Sequence, residues 1–269
     1  MTKPDVSRFI EANQACFRVQ VSGEGPAALV LLHELGGTLE SWDGLMPLLG
    51  GRRRILRFDM RGAGMSEKVR GTVRLEILAQ DVACILDTLG IEGPVCVAGA
   101  AAGAAIAMQF AAKYPERTCG LIAMAPAAGV PESARVARFA IADLVEASGM
   151  RSRVDASMEN GYPASMRNNA ATFDQYRNRW IGNDPASYAA IHRMLAQLDL
   201  TSVLPNIGCP VLVIAGSRDP NRTPQDIEVV MRPLATKRLV TIDSGHFMAV
   251  LTPELVAEKM RVFLSEIRS

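Results

Sequence analysis

The stretch "PVCVAGAAAGAAIAMQFAAKYPERT" at residues 94–118 decides the fold. It opens with an apolar run, "PVCVAGA", turns through Gly99-Ala100-Ala101-Ala102-Gly103, and continues as the helical "AAIAMQFAAKY". A strand, a sharp turn and a helix form the setting in which G-x-S-x-G lifts a serine hydroxyl out of a parallel sheet. Here the central position is alanine, Ala101. Taken alone, G-A-A-A-G is equally an Ala/Gly-rich turn that packs tightly, so its neighbours along the chain must decide its meaning.

Outward from this turn, further short apolar runs recur at 27–33, 53–58, 119–125, 210–216 and 238–243, each bounded by Gly, Pro or charge. Strands buried on both faces lose their polar alternation and look like this. "FRVQV" at 17–21 does alternate, as a half-exposed strand near a sheet edge does. Helical patterns separate the strands: "LESWDGLMPLLG", "LEILAQDVACILDTLG" and the helix after the turn. The second carries Leu75, Leu78, Val82, Ile85, Leu86 and Leu89 on one stripe and stops at Gly90. Strand and helix in alternation predict an α/β fold with a doubly wound, mostly parallel sheet.

The alternation lapses over 130–205, where helix follows helix with polar breaks at "SGMRSRVDAS", "MENGYPAS" and "GNDPAS". The expectation is a core of 1–129 and 206–269 with a helical cap, 130–205, inserted over one end of the sheet.

The 269 residues are 49% hydrophobic with a net charge of +1, enough apolar material for a sizeable core and no basic footprint for nucleic acid. No apolar run reaches the length of a membrane span, and "MTKPDVSRFI EANQ" lacks a signal-peptide core, so a cytoplasmic protein is expected. Five cysteines without C-x-x-C spacing read as reduced core thiols rather than a zinc or disulfide framework.

Ligands of parallel sheets bind beyond the carboxyl ends of the strands. His33 and Glu34, Asp59 and Arg61, Ala101, Asp219 and His246 all follow apolar runs. The order elbow, Asp, His is that of the α/β-hydrolase triad. The chain resembles the α/β-hydrolase family along essentially its whole length, through "LLHELGGTLESW", "FDMRGAGMSE", "VAGAAAG", "IAGSRDPNRTP" and "SGHFMAVLTPELV". With "NDPASYAAIHRMLAQLDLTSVLPNI" it looks most like the 3-oxoadipate enol-lactonase branch and neighbouring esterases.

The resemblance implies that Ala101 stands at the nucleophile position, that His246 is the general base and then acid, and that Asp219 orients His246. It implies an oxyanion hole of the Leu35 and Ala102 amides, and cap insertion after the sixth core strand. The other acid site of some relatives, after that strand, reads "MAPAAGVP" here and has no carboxylate before Glu132. Candidate pocket residues are Glu34, His33, Ala100, Trp180 and Phe247, with His33 holding the oxyanion loop. Glu34 departs from the pattern. A carboxylate beside a developing oxyanion opposes catalysis, so it is expected to point away or to pair with an arginine such as Arg61. Turned inward, it would orient a water or reject anionic substrates.

Asp59 and Arg61 read as a structural turn closed by a carboxylate–guanidinium bond, and His192 as a cap residue at the surface or in packing. Most of the cap arginines (Arg135, Arg138, Arg151, Arg153, Arg167, Arg177, Arg179 and Arg193) are expected at the surface, one or two of them serving a substrate carboxylate. Met150, Met158, Met166, Tyr176 and Trp180 suit either an apolar pocket or plain core.

Three readings of Ala101 follow. It replaces a catalytic serine and leaves a chain that holds substrate without turnover; or the pocket is a receptor; or a His/Asp pair acts alone on substrate. An aspartate or cysteine nucleophile at 101 is the weaker fit, since the aspartate enzymes of this fold follow it with a bulky residue and Ala102 is small. The implied activity is hydrolysis of a small carboxylic ester or lactone, as in aromatic catabolism, with C–C bond or enamide cleavage as the alternatives on the same triad. No cofactor or metal is called for, and the candidate partners are the small-molecule substrate and a second copy in a homodimer.

Overall fold

A computed structural model describes residues 6–26, 28–49 and 53–267. Residues 1–5 of the N-terminal stretch, Ala27 at the start of its apolar run and Gly50 at the end of "LESWDGLMPLLG" lie outside them.

Eight strands form one sheet: β1 (Arg8–Ala12), β2 (Ala15–Ser22), β3 (Ala28–Leu32), β4 (Arg54–Phe58), β5 (Val95–Ala100), β6 (Thr118–Met124), β7 (Val211–Gly216) and β8 (Lys237–Ile242). Their order is β1-β2-β4-β3-β5-β6-β7-β8, antiparallel at β1/β2 and β2/β4 and parallel elsewhere. After β3 the chain steps outward to β4, then crosses back to β5 on the other side of β3. The carboxyl ends of β3 and β5 therefore flank the point where the winding reverses, and a crevice opens there.

The apolar runs that form β3 to β7 are buried on both faces, since successive side chains point to opposite sides, whereas the run at 238–243, read as buried, forms edge strand β8, in which only Ile242 is buried. Leu29 and Leu31 join the core layer under α1 (Met46–Leu49) and α10 (Pro253–Glu266), with Met260 and Phe263. Val30 and Leu32 join the layer under α2 (Leu75–Thr88) and α3 (Ala102–Lys113), with Val82 and Phe110. Helix α2 ends where Gly90 takes φ 64, a left-handed conformation that costs glycine little.

The cap comprises α4 (Glu132–Ser148), α5 (Val154–Gly161), α6 (Ala170–Ile181) and α7 (Pro185–Ala196), lying in the chain between β6 and β7. Helix α7 begins with Asp184 accepting from the Ser187 amide and proline at the first position, which has no N–H to leave unpaired. Two short helices complete the chain: α8 (Pro224–Val230) and α9 (Met248–Leu251).

The alternating "FRVQV" lies, as expected, in a strand near the sheet edge, β2, with β1 outside it. Other expectations need correcting. "LESWDGLMPLLG" is not one helix but a 3-10 turn, Leu39–Trp42, followed by the four-residue α1, because Gly44 and Pro47 interrupt it. Helix α5 occupies part of two stretches read as polar breaks; Val154 and Met158, four apart, give it a buried face. Among the described residues no helix is long and apolar enough to cross a membrane.

Candidate active site

Gly99 and Gly103 bring strand and helix together at the elbow. A Cβ on Gly99 would lie 2.2 Å from the Gly103 carbonyl oxygen, and one on Gly103 would lie 2.1 Å from that of Leu32. Both positions therefore exclude a side chain. Between them Ala101 adopts φ 48, ψ −104, a conformation that costs a non-glycine residue on the order of 1–3 kcal/mol. Its amide donates to the Met124 carbonyl (2.8 Å) and its carbonyl accepts from Ala127 (3.2 Å), which anchors the turn to the chain after β6.

Ala101 faces a cavity of about 130 Å3, on the order of the space that takes a benzene-sized molecule. Leu35, Ala102, Trp180, His246 and Phe247 share its lining. The cavity is therefore suited to a small ligand.

His246 Nδ1 lies 2.6 Å from Asp219 Oδ2. The other oxygen, Oδ1, accepts from the amides of Asn221 (2.8 Å) and Arg222 (3.1 Å), so the turn after β7 fixes the carboxylate. With the proton on Nδ1 donated to Asp219, Nε2 keeps its lone pair for the cavity. The next residue, Phe247, is held by the cap: its amide donates to the Gly161 carbonyl, and its ring fills the space where a Gly161 Cβ would be. The backbone around the imidazole is thus fixed from both core and cap.

The loop after β3 is pinned by His33. Its Nε2 accepts from the Met60 amide (3.0 Å), which leaves Nδ1–H to donate to the Glu34 carbonyl (2.8 Å). That loop carries Leu35 into the cavity wall, where its amide and that of Ala102, the first residue of α3, have no backbone partner among the described residues. Trp180 covers the same loop so closely that a Cβ on Gly36 would meet its indole nitrogen at 2.1 Å.

Glu34 turns inward and lines the cavity, with Oε1 accepting from Ser41 Oγ and Tyr176 OH, both at 2.8 Å. Burial first, and then the Glu34 charge, push the Tyr176 phenol well above its ordinary range, so it stays a donor. The expected pairing with Arg61 is absent: Arg61 instead forms a fork with Asp81, through Nε (2.8 Å) and Nη2 (2.6 Å). Nor do Asp59 and Arg61 close a turn together. Asp59 accepts from the amides of Leu39 and Met65, both at 2.8 Å, and lies 3.5 Å from Arg18.

Two candidate pocket residues stand behind the wall: Ala100 is buried at the end of β5, and His33 is taken up by the loop. His192, expected at the surface or in packing, lines the cavity with 7% exposure, its ring stacked on Tyr188 at 5.9 Å. Burial, then Arg138 and Arg153, lower its pKa to about 4 and keep it neutral. Arg138, Arg153 and Arg222 also reach the lining. Met150, Met158, Tyr176 and Trp180 form the cap's own apolar cluster with Phe247, which ties it to the His246 loop.

Comparison with known proteins agrees with this architecture. The chain is 28% identical over 253 residues to 3-oxoadipate enol-lactonase 1 of Acinetobacter baylyi, covering 93% of each. An esterase of Thermogutta terrifontis, solved with malate bound, superimposes with a TM-score of 0.89 at 25% identity, over 97% of this chain and 98% of that one. The enol-lactonase of Burkholderia xenovorans does so with the same score and identity, over 96% and 100%. A family model described as serine aminopeptidase, S33 matches residues 26–246, a span that runs from the first parallel strand through the elbow and cap to His246. On that match, and on the sheet that carries it, the chain belongs to the α/β-hydrolase family.

Proposed function

We propose that the cavity receives a small carboxylic ester or lactone, with Ala101 at the nucleophile position of an acyl-transfer site. The observation that carries this reading is the backbone of Ala101: a non-glycine residue held at φ 48 beside the His246–Asp219 pair. Strain of this kind belongs where a side chain must be aimed into a site. Esterases and enol-lactonases among the similar proteins support the bond type.

With serine at 101, His246 Nε2 takes the hydroxyl proton as Oγ attacks the carbonyl, and Asp219 stabilises the imidazolium that forms. The amides of Leu35 and Ala102 receive the oxyanion. The imidazolium then protonates the departing alkoxide, and water activated on the same nitrogen frees the acid. With alanine, none of the covalent steps has a nucleophile, so the chain holds its ligand and turns it over very little.

Assay of Ala101 and Ala101→Ser side by side on phenyl acetate and γ-lactones tests this. Serine is expected to raise hydrolysis at least about a thousandfold, and a second change, His246→Ala, to remove the gain. Equal rates in both forms would overturn the reading.

A further inference from the structure

Four polar side chains from separate segments meet in the cavity wall: Arg138 of α4, Arg153 before α5 and His192 of α7 from the cap, and Arg222 in the turn after Asp219 from the core. None of the three arginines forms an ion pair among the described residues. By contrast, Arg167, Arg177 and Arg193 of the same cap bond to Glu159, Asp155, and Asp143 with Glu146, at 2.5–3.1 Å. Four of the cap's acids are thus taken up by arginines outside the cavity, whereas Arg138, Arg153 and Arg222 line it without an ion-pair partner among the described residues.

Two neighbours register that charge. The same arginines, Arg138 and Arg153, act on both His192 and Tyr188, which stack on each other. Their fields thus converge on one stretch of wall. His192 Nδ1 is buried there without a hydrogen-bond partner among the described residues. A buried polar atom left unmatched is unfavourable and is relieved by a polar ligand.

We infer that this wall is an anion subsite, in which Arg138 and Arg153 hold a carboxylate carried by the substrate away from its scissile carbonyl, while Arg222 adds charge from the core side. Guanidinium groups suit carboxylates because their N–H groups pair with both oxygens. Glu34, on the β3 loop beside Leu35, keeps an anion from docking at the oxyanion amides instead. The substrate class becomes a monoanionic ester or lactone acid, oriented by its charge. The inference rests on the acyl-transfer reading only for where the ester end lies.

Calorimetric titration of the Ala101 chain tests it with monomethyl succinate, glutarate and adipate, each against its dimethyl ester. At least one monoester is expected to bind about tenfold or more tightly than its diester. Arg138→Gln and Arg153→Gln, made separately and checked for native circular dichroism, are each expected to remove most of that preference. Equal binding of mono- and diesters, no monoester binding, or a preference untouched by both substitutions overturns the subsite. Labelling of Ala101→Ser by a neutral fluorophosphonate reads the elbow separately. Labelling without monoester preference leaves a hydrolase and rejects the subsite; preference without labelling keeps the subsite and rejects the acyl-transfer reading.

Discussion

Tyr176 and Glu34 meet through a 2.8 Å hydrogen bond between residues 142 positions apart, which joins cap helix α6 to the loop that carries Leu35. Both side chains are buried, so this bond fixes cap and loop together away from solvent. Tyr176→Phe removes one of the two donors to Glu34 Oε1 and leaves Ser41 alone. The expected loss is about 1–3 kcal/mol in urea unfolding. Tyr176→Phe combined with Glu34→Gln should cost less than the sum of the two single changes, because neither partner is then left charged and short of a donor.

The elbow makes opposite demands on adjacent residues. Gly103→Ala forces a Cβ against the Leu32 carbonyl and is expected to cost at least about 1–3 kcal/mol in chemical unfolding. Ala101→Gly relieves a φ of 48, and its effect should lie between neutral and about 1 kcal/mol stabilising. Ala105→Gly, one turn into α3, serves as the control and should cost about 1 kcal/mol or more.

His192 makes stability pH-dependent. Its folded pKa, about 4, lies below the ordinary histidine value of 6.5, so between these values the unfolded chain binds the proton and the folded one does not. Its contribution is fully present above pH 6.5 and is lost as pH falls toward 4, by on the order of 3 kcal/mol over the window. Comparing His192→Gln with the parent chain in urea at pH 7 and pH 4.5 should show a smaller acid loss in the variant. Parallel losses would contradict a buried neutral imidazole.

Much of this fold is legible in the sequence because parallel strands covered on both faces must be nearly all apolar, and "PVCVAGA" or "PVLVIAG" admits little else. Strand β1 escapes that logic. Its five residues, "RFIEA", are mostly exposed, and its hairpin turns at Asn13 and Gln14, both at positive φ, a signal carried clearly only by the asparagine. The elbow and the order Asp219, His246 are legible through spacing. The cationic wall is not, since Arg138, Arg153, His192 and Arg222 come from four segments whose meeting depends on how the cap helices pack. Glu34 and Tyr176 are hidden for the same reason: no local pattern links a loop residue to a phenol 142 positions later.

The acyl-transfer account is tested most directly by treating the chain and its Ala101→Ser form with a fluorophosphonate and weighing the intact proteins. A single adduct on the serine form alone, mapped to residue 101 and reduced by His246→Ala, is the predicted result. No adduct on a correctly folded serine form would contradict the account and leave the cavity to a ligand that is bound rather than cleaved, or to chemistry by His246 and Asp219 alone.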